Sequence, residues 1–327
     1  MSVPLSFACG NYDRTAPIRE GDVRIEGVEL TYLTLPVEET FFRMSRYREF
    51  HASEFSLSSY VASLRHERPF VAIPVFPSRM FRHGSVYVNT SAGITSPADL
   101  VSKRVGIAEW QLTANVWVRG ILAEHYDVPV DSVVYRTGGL HEAGRVEKLP
   151  VSIPPTVDIR PIPAGATLAD MLVRHEIDAL YSPRPPRPFL DGHPEVARLF
   201  SSPSQEEAAY FERTGVFPIM HTLVLRREVY EEHRWLVRSM MKAFEEARRR
   251  AMETLQEATA LSCMLPWLFE ELQRTRGVLG RDYWPYGVEE NRTTLTTFLR
   301  YAAEQGIGDI ASVEDLFAPE AFEEVLV

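Results

Sequence analysis

Residues 71–89 read VAIPVFPSRMFRHGSVYVN, and this stretch decides how the rest of the chain is interpreted. Its two ends, VAI and VYV, are runs of β-forming residues, so they predict two buried strands. Arg79, Arg82 and His83 lie in the polar segment between them. Charged side chains next to buried strands favour a site for an anion, because an unpaired charge near a core is unfavourable. The alternative interpretation is a solvated surface loop.

The composition limits the kinds of protein that this chain can be. Its 327 residues, 45% of them hydrophobic, suffice for a packed core and exceed the usual size of one domain, so two lobes are expected. A net charge of −10 without a block of lysine or arginine argues against a nucleic-acid surface. No segment approaches the ~20 apolar residues of a membrane span, and no signal-peptide pattern is present, which predicts a cytoplasmic protein. Cys9 and Cys263 match no metal or redox spacing, so both are predicted to be reduced and buried.

Strand-like and helix-like segments alternate along the chain, which is typical of an α/β fold. The helix predicted at 37–47 has Phe41, Met44 and Tyr47 at helical spacing, and these residues are expected in the core. The C-terminal third is helical, with 248–250 on a solvated face. Strands are predicted at 5–8, 28–35, 71–73, 85–89, 104–108, 132–136, 157–162, 177–181 and 217–225, and further helices at 114–122 and 167–175.

Two segments carry polar residues where a strand meets a helix. In 50–64, FHASEFSLSSYVASL, a short strand precedes a helix, and Glu54, Ser56, Ser58 and Ser59 lie near the junction, where serine is typical of an N-cap. In 109–113, EWQLT, a polar turn follows a strand, and Thr113 is predicted to cap the next helix. A strand, a polar turn and a capped helix form an anion site through free backbone N–H groups, although every α/β protein repeats this pattern.

Three further features have alternative interpretations. His221 is the one polar side chain in the middle of FPIMHTLVL, and such a histidine is either a satisfied core residue or a site residue. His51 and Glu54 have the H-x-x-E spacing of some metal ligands, but no third ligand supports them, so the need for a metal stays open. The aromatic segment 283–287, YWPYG, is either a core anchor or a lid.

Several segments together resemble the 4,5-dihydroxyphthalate decarboxylase family. The most specific is PSRMFRH, residues 77–83, joined to the strand that follows it, and YDR, GIAEW and MH are supporting matches. The resemblance extends from Phe7 to about Trp284. It implies an α/β fold of the type II periplasmic-binding-protein-like kind, in which two lobes are hinged around a ligand cleft.

The implied fold divides the chain into two lobes. One strand, 85–89, would cross out of the first lobe, and another, 219–225, would cross back. Because His83 and His221 lie at these crossings, the fold would bring both to one cleft. Lobe I is therefore predicted to contain 1–84 and 222–327, and lobe II to contain 85–221.

The resemblance implies a carboxy-lyase of aromatic compound catabolism, in phthalate degradation. Such an enzyme removes one of two adjacent ring carboxylates from 4,5-dihydroxyphthalate and yields 3,4-dihydroxybenzoate (protocatechuate) and carbon dioxide. No cofactor is expected, a divalent metal stays open, and the partner is a small aromatic carboxylate, with a homo-oligomer also open. The alternative is a solute-binding protein for a small aromatic or other organic anion. The absence of a signal-peptide pattern favours the enzyme.

The implied reaction needs a proton donor and a group that polarises the phenol. His221 is predicted to donate the proton to carbon and His83 to orient the substrate or contact its carboxylate, although either imidazole can be the acid. Glu54 or Asp13 would polarise the phenol.

The implied substrate is a dianion, so cations and an aromatic surface should bind it. Arg79, Arg82 and Arg184 are the predicted clamps, because a guanidinium grips a carboxylate with two hydrogen bonds. The other predicted substrate contacts are Trp110, which would stack on the ring, Asp13, Arg14, Ser58 and Thr113.

Overall fold

The structure, a computed structural model, describes residues 2–65 and 67–322. No helix within these residues is long and apolar enough to cross a membrane. The strands are β1 Val3–Cys9, β2 Val28–Thr34, β3 Ala52–Ser56, β4 Phe70–Arg79, β5 Val86–Asn89, β6 Arg104–Ile107, β7 Val134–Thr137, β8 Ile159–Pro161, β9 Ala179–Tyr181, β10 Val196–Arg198 and β11 Ile219–Arg226. The α-helices are α1 Ala16–Arg19, α2 Val37–Tyr47, α3 Leu57–Ser63, α4 Thr113–His125, α5 Leu168–Val173, α6 Arg187–Leu190, α7 Pro203–Thr214, α8 Arg227–Glu232, α9 Leu236–Thr254, α10 Leu268–Leu279 and α11 Arg292–Glu304.

The chain forms two compact units. Unit 1 contains the chain up to Arg79, Ile219–Thr296 and the chain from Ile310 onward, and unit 2 contains Met80–Pro218 and Thr297–Asp309. The divisions fall a few residues before the predicted boundaries, so β5 lies wholly in unit 2 and β11 wholly in unit 1. Of the predicted lobe I, Met1, His66 and residues 323–327 lie outside the described residues.

Unit 1 is built on a five-stranded sheet in the order β2-β1-β3-β11-β4. Strand β1 is parallel to β2 and β3, whereas β11 runs antiparallel to both of its neighbours. Because parallel strands end at the same edge of a sheet, the residues that follow β1 and those at the end of β3 come together.

Strand β4 changes the interpretation of the segment with which the sequence analysis began. It continues past its predicted end to Arg79, so Arg79 belongs to the sheet and not to a loop. Its pairing with β11 shifts register where β4 contains Pro74 and Pro77, because proline has no N–H to give to a neighbouring strand. The solvated-loop interpretation is wrong, since Arg79 and Arg82 are only 6% and 7% exposed.

Unit 2 is built on a six-stranded sheet in the order β10-β5-β9-β6-β7-β8, with β8 at one edge. Strand β6 is parallel to β7 and β9, whereas β5 is antiparallel to β9 and β10. A buried cluster that includes Tyr87, Leu168, Leu172, Ile177 and Leu180 forms a core on this sheet.

Residues 297–309 join unit 2 through close packing on α4, which the sequence prediction missed. Gly120 leaves room for the Tyr301 ring, because a Cβ at this glycine would overlap that ring. Trp117 packs against the rings of Phe298 and Tyr301, with centroids 5.4 and 5.7 Å apart. These contacts connect parts of the chain that no local pattern relates.

The helix starts at the two strand–helix junctions differ. Ser56 is the N-cap of α3, and its hydroxyl accepts a hydrogen bond from the Ser59 N–H at 3.3 Å, which confirms the predicted serine cap. Thr113 is the first residue of α4, and Leu112 occupies the N-cap without a side-chain hydrogen bond. The predicted cap at Thr113 is therefore wrong.

Three burial predictions are also wrong. Tyr47 is exposed, because it is the last residue of α2 and its ring extends beyond the packed face. Cys263 is exposed in the segment between α9 and α10. Arg248 is buried, because the carboxylates of Glu245 and Asp282 pair with its guanidinium and offset its charge.

Candidate active site

The pairing of β3 with β11 brings Glu54 and His221 together in unit 1. Glu54 lies opposite Leu223, and side chains alternate in direction along a strand, so His221 faces the same side of the sheet as Glu54. Strand β1 runs along the other side of β3 and ends at Cys9, whose sulfur lies 3.5 Å from Glu54 Oε2. Three strands thus converge on one carboxylate.

Both oxygens of the fully buried Glu54 carboxylate are occupied by groups of unit 1. Oε1 accepts a hydrogen bond from the Tyr12 hydroxyl at 2.7 Å and lies 2.5 Å from Nδ1 of His221. Oε2 accepts a hydrogen bond from the Gly10 N–H at 2.9 Å. Burial alone would raise the pKa of Glu54, but the charge of His221 and these hydrogen bonds outweigh it and hold the pKa below its ordinary value. Glu54 is therefore ionised at neutral pH.

His221 is oriented by its contact with Glu54. Because the carboxylate can only accept, Nδ1 of His221 carries a proton, and Nε2 is the nitrogen that remains for other chemistry. The Phe41 ring packs edge-on against the imidazole, with centroids 4.8 Å apart. The His221 side chain is 16% exposed, whereas that of Glu54 is 0% exposed. A carboxylate that fixes the tautomer of a partly accessible histidine is the arrangement of a general acid or base.

The loop after β1 completes this cluster. A Cβ at Gly10 would lie 2.8 Å from the Tyr12 ring, so only glycine lets that ring lie where its hydroxyl reaches Glu54. Burial and the charge of Glu54 raise the pKa of Tyr12, so its hydroxyl keeps the proton that it donates. The Arg14 guanidinium carbon lies 4.2 Å from the Tyr12 ring centroid and 4.5 Å from that of Trp284. A cation is thus held beside the cluster.

The sequence prediction missed Tyr12, Gly10 and Cys9 as members of this cluster. A signal was present, because YDR is one of the supporting matches to the resembled family, and Tyr12 stands beside Asp13 and Arg14 in it. The hydrogen bond from Tyr12 to Glu54 joins residues 42 apart in sequence, so no local pattern contains it.

Arg79 is engaged by its own unit. Its guanidinium donates to the Pro285 carbonyl oxygen at 2.7 Å and to the side-chain oxygen of Asn291. Burial lowers the pKa of Arg79 to about 9. The indole N–H of Trp284 donates to the Phe76 carbonyl oxygen at 2.9 Å, and Tyr286 is buried. The segment 283–287 is therefore anchored to β4, which favours its interpretation as a core anchor.

His83 lies inside unit 2 with its imidazole 2% exposed. It is surrounded by an aromatic cluster, defined here as Tyr126, Phe200 and Tyr210, whose ring centroids lie 5.2–5.8 Å from that of His83. Neither ring nitrogen has a hydrogen-bond partner among the described residues. Burial, together with the charges of Arg213 and His125, lowers the pKa of His83 to about 4. This packing holds His83 neutral and offers neither nitrogen to a ligand.

The other predicted site residues are distributed over both units. Asp13 is exposed and pairs with Arg14 at 3.0 Å, and Arg184 is exposed in the loop after β9. Arg82 is buried in unit 2, with Nη1 3.6 Å from the Met80 sulfur, and burial lowers its pKa to about 10. Ser58 in α3, Trp110 before α4 and Thr113 in α4 are buried, and the Trp110 ring is covered by Arg119, so the predicted stacking on a substrate has no open indole face here.

The H-x-x-E spacing does not form a metal site. Nδ1 of His51 lies 2.9 Å from the Ser6 nitrogen and 2.8 Å from the Ser6 hydroxyl oxygen, and Glu54 is occupied as described above. Within the part of the chain that the structure describes, no group of three or more metal-ligating side chains occurs.

Two curated proteins are similar to this chain in sequence. A 4,5-dihydroxyphthalate decarboxylase of Comamonas testosteroni is 41% identical over 321 residues, which are 98% of this chain and 97% of that protein. A 4,5-dihydroxyphthalate decarboxylase of Pseudomonas putida is 44% identical over 200 residues, 61% of this chain and 78% of that protein. No family model matches the chain.

Solved structures show the fold. The alkanesulfonate-binding protein SsuA of Xanthomonas axonopodis pv. citri, bound to MOPS, has a TM-score of 0.54 at 11% identity, covering 97% of this chain and 99% of that one. The periplasmic sulfonate-binding protein SsuA of Methylobacillus flagellatus has a TM-score of 0.56 at 10% identity, covering 98% and 92%. The desulfurization enzyme DSZB has a TM-score of 0.51 at 12% identity, covering 97% of each chain. The predicted type II periplasmic-binding-protein-like fold is confirmed.

Proposed function

The chain belongs to the 4,5-dihydroxyphthalate decarboxylase family, and we propose that it converts 4,5-dihydroxyphthalate to 3,4-dihydroxybenzoate and carbon dioxide. The observation that carries the mechanism is the contact between Glu54 and Nδ1 of His221, which leaves Nε2 as the reactive nitrogen. The sulfonate-binding proteins share the fold alone, so they do not favour the solute-binding alternative.

His221 is the general acid of the proposed reaction. Nε2–H donates its proton to the ring carbon that bears the departing carboxylate, while the hydroxyl para to that carbon gives its proton to water and pushes electrons into the ring. The carbon–carbon bond then breaks, its electron pair restores the aromatic ring as a phenolate, and carbon dioxide leaves. The phenolate takes a proton back from water, and a second proton from solvent returns to His221. The ionised Glu54 stabilises the protonated imidazole before the transfer.

Glu54 acts through His221 as a positioning residue. Its oxygens are occupied by Gly10, Tyr12 and His221, and its side chain is fully buried, so it has no oxygen for the phenol. Of the two groups predicted to polarise the phenol, Asp13 has the exposed carboxylate, and it takes this role in the proposal. The reaction as written needs no cofactor, because the ring itself accepts the electrons.

The dianionic substrate needs cations near His221. Arg14 is the candidate of unit 1, because its side chain is 18% exposed and it stacks on Tyr12, which contacts Glu54. The predicted clamp role of Arg184 stays a prediction from the sequence. Arg79 and Arg82 are buried, and two of the donors of Arg79 serve Pro285 and Asn291, so we assign Arg79 the support of the 283–291 segment.

Turnover in deuterated water tests this proposal. We expect carbon dioxide release from 4,5-dihydroxyphthalate but not from phthalate, because phthalate has no para hydroxyl to supply electrons. Deuterium should enter the product at the vacated ring carbon, as read by proton NMR. No release from 4,5-dihydroxyphthalate by the folded protein would refute the function, and release without deuterium at that carbon would refute protonation as the replacing step.

A further inference from the structure

Unit 2 carries a carboxylate of its own at the turn before α4. The connector, defined here as residues 141–156 between β7 and β8, carries Glu147 to this turn. Oε1 of Glu147 accepts a hydrogen bond from the Trp110 N–H, and Oε2 accepts one from the Gln111 N–H at 3.5 Å. The two backbone donors lie just before α4, where the positive end of the helix dipole favours an anion.

A buried guanidinium lies against the same turn. Arg119 is 1% exposed, and its carbon lies 3.7 Å from the Trp110 ring centroid. Its donors reach the Gln305 side-chain oxygen at 2.7 Å and the Trp110 carbonyl oxygen at 2.6 Å, while Nη1 has no hydrogen-bond partner among the described residues. The charge of Arg119 acts on Glu147, although burial raises the pKa of Glu147 overall. A buried cation with an unused donor favours an anion at this place.

The connector is also held over the turn by two ion pairs. Arg145 and Lys148, on either side of Glu147, both pair with the buried Glu109, at 2.7 and 3.3 Å. The connector therefore presents an anion to the donors of the turn and two cations to its carboxylate. All of these contacts are polar, and polar contacts can be exchanged for those of an incoming anion.

We propose that the N–H groups of Trp110 and Gln111, with Arg119 beneath them, form a carboxylate-binding site that Glu147 occupies as an internal competitor. A carboxylate of an aromatic dicarboxylate displaces Glu147, and the connector lifts when it binds. This inference rests on the proposed function for the identity of the ligand, an aromatic dicarboxylate. It gives Trp110 a role through its backbone N–H in place of the predicted ring stacking.

Removal of Glu147 should expose this site. We compare Glu147→Ala with Glu142→Ala, because Glu142 is an exposed glutamate of the same connector and neither substitution leaves an acceptor. Phthalate is the probe, since it carries both carboxylates and lacks the hydroxyls needed for turnover. A connector that is open about a tenth of the time would weaken binding about tenfold, so Glu147→Ala should bind phthalate about tenfold more tightly by calorimetry.

The wild-type protein provides a second measurement that does not depend on a variant. Trypsin cuts after Arg145 and Lys148, whose side chains are 27% and 21% exposed. Saturating phthalate should speed cleavage at these two residues, because the displaced connector loses its contacts with the turn. Cleavage elsewhere in the chain, read by mass spectrometry, is the internal control.

Each outcome bears on the proposal. Tighter phthalate binding by Glu147→Ala alone, with faster cleavage at 145 and 148 in the wild type, supports it. Equal affinities of the two variants, slower or unchanged cleavage with phthalate, or no phthalate binding by any of the three proteins overturns it. Carbon dioxide release from 4,5-dihydroxyphthalate is measured separately on the wild type, so an inactive protein and an unoccupied carboxylate site give different results.

Discussion

Two histidines of this chain have opposite surroundings. His221 of unit 1 pairs with Glu54, whereas His83 of unit 2 lies within the aromatic cluster. His221 gives Nδ1 to a buried carboxylate and keeps part of its imidazole accessible. His83 has three aromatic rings around it and no hydrogen-bond partner for either nitrogen among the described residues. The first setting pairs the imidazole with a carboxylate, and the second lowers the pKa of His83 to about 4 by burial.

This difference shows that proximity to arginine in sequence does not identify the acid. His83 follows Arg82 directly, but burial is the larger cause that lowers its pKa to about 4. At neutral pH such a histidine has no proton to give beyond that of its neutral tautomer. His221 lies far in sequence from any arginine of the 79–82 segment, and a glutamate supplies its counter-charge.

Replacement of His221 should have the largest effect on activity. His221→Asn removes the proposed acid, and we expect kcat to fall by about 10²–10⁴-fold with KM changed little. His51→Asn is the matched control, because His51 contacts Ser6 of the same unit and not Glu54, and it should keep kcat near that of wild type. Wild-type turnover by His221→Asn, with an unchanged pH–rate profile, would make His221 a core histidine.

Replacement of Glu54 should have the next largest effect. Glu54→Gln removes the negative charge beside Nδ1 of His221, and we expect kcat to fall by about 10²-fold or more with KM changed little. Glu29→Gln, an exposed glutamate of β2 in the same sheet, is the control. A Glu54→Gln enzyme with the wild-type kcat would show that the carboxylate does not act through His221.

The aromatic cluster makes a prediction about stability. Folded His83 takes up a proton only near pH 4, whereas in the unfolded chain it does so near pH 6.5, so its contribution to stability is present above pH 6.5 and is lost as the pH falls toward 4. The loss should reach about 3 kcal/mol at pH 4. Urea unfolding of wild type and His83→Phe at pH 7 and pH 4 measures it.

The contrast with His83→Phe isolates this histidine from the others that titrate in the same range. The variant should lose less stability between the two pH values than wild type by about the stated amount, since phenylalanine cannot take up a proton. Equal losses in the two proteins would mean that His83 reaches a proton acceptor or solvent in the folded state.

Tyr12 should give the smallest of these effects. Tyr12→Phe keeps the ring beneath Arg14 and removes one hydrogen bond to Glu54, so we expect kcat to fall by about tenfold, in line with about 1.5 kcal/mol for a hydrogen bond to a charged group. Tyr230→Phe is the control, because the Tyr230 hydroxyl donates to the carboxylate of Glu320 in the same unit instead. If both variants keep wild-type kcat, the Tyr12 hydroxyl does not support the pair.

Local pattern was sufficient for most of the elements. The helix at 37–47 matches α2 to the residue, and the strands at 28–35 and 104–108 match β2 and β6 to within one residue. The periods of 2.0 and 3.6 residues are set by backbone geometry, so a single segment contains the signal. The failures at Thr113, Tyr47 and Arg248 lie at helix ends or on faces where tertiary partners decide burial.

The amino-acid sequence, with the resemblance it carries, was enough to predict the α/β class, the family and the candidates His221 and Glu54. It could not pair them, because the contact joins residues 167 apart and depends on which strand lies between β3 and β4. The same holds for Tyr12 on Glu54, for Arg79 on Asn291 and for Glu147 at the turn before α4. Burial and hydrogen bonding are properties of neighbours in space, and those neighbours are set by strand register and packing over the whole chain.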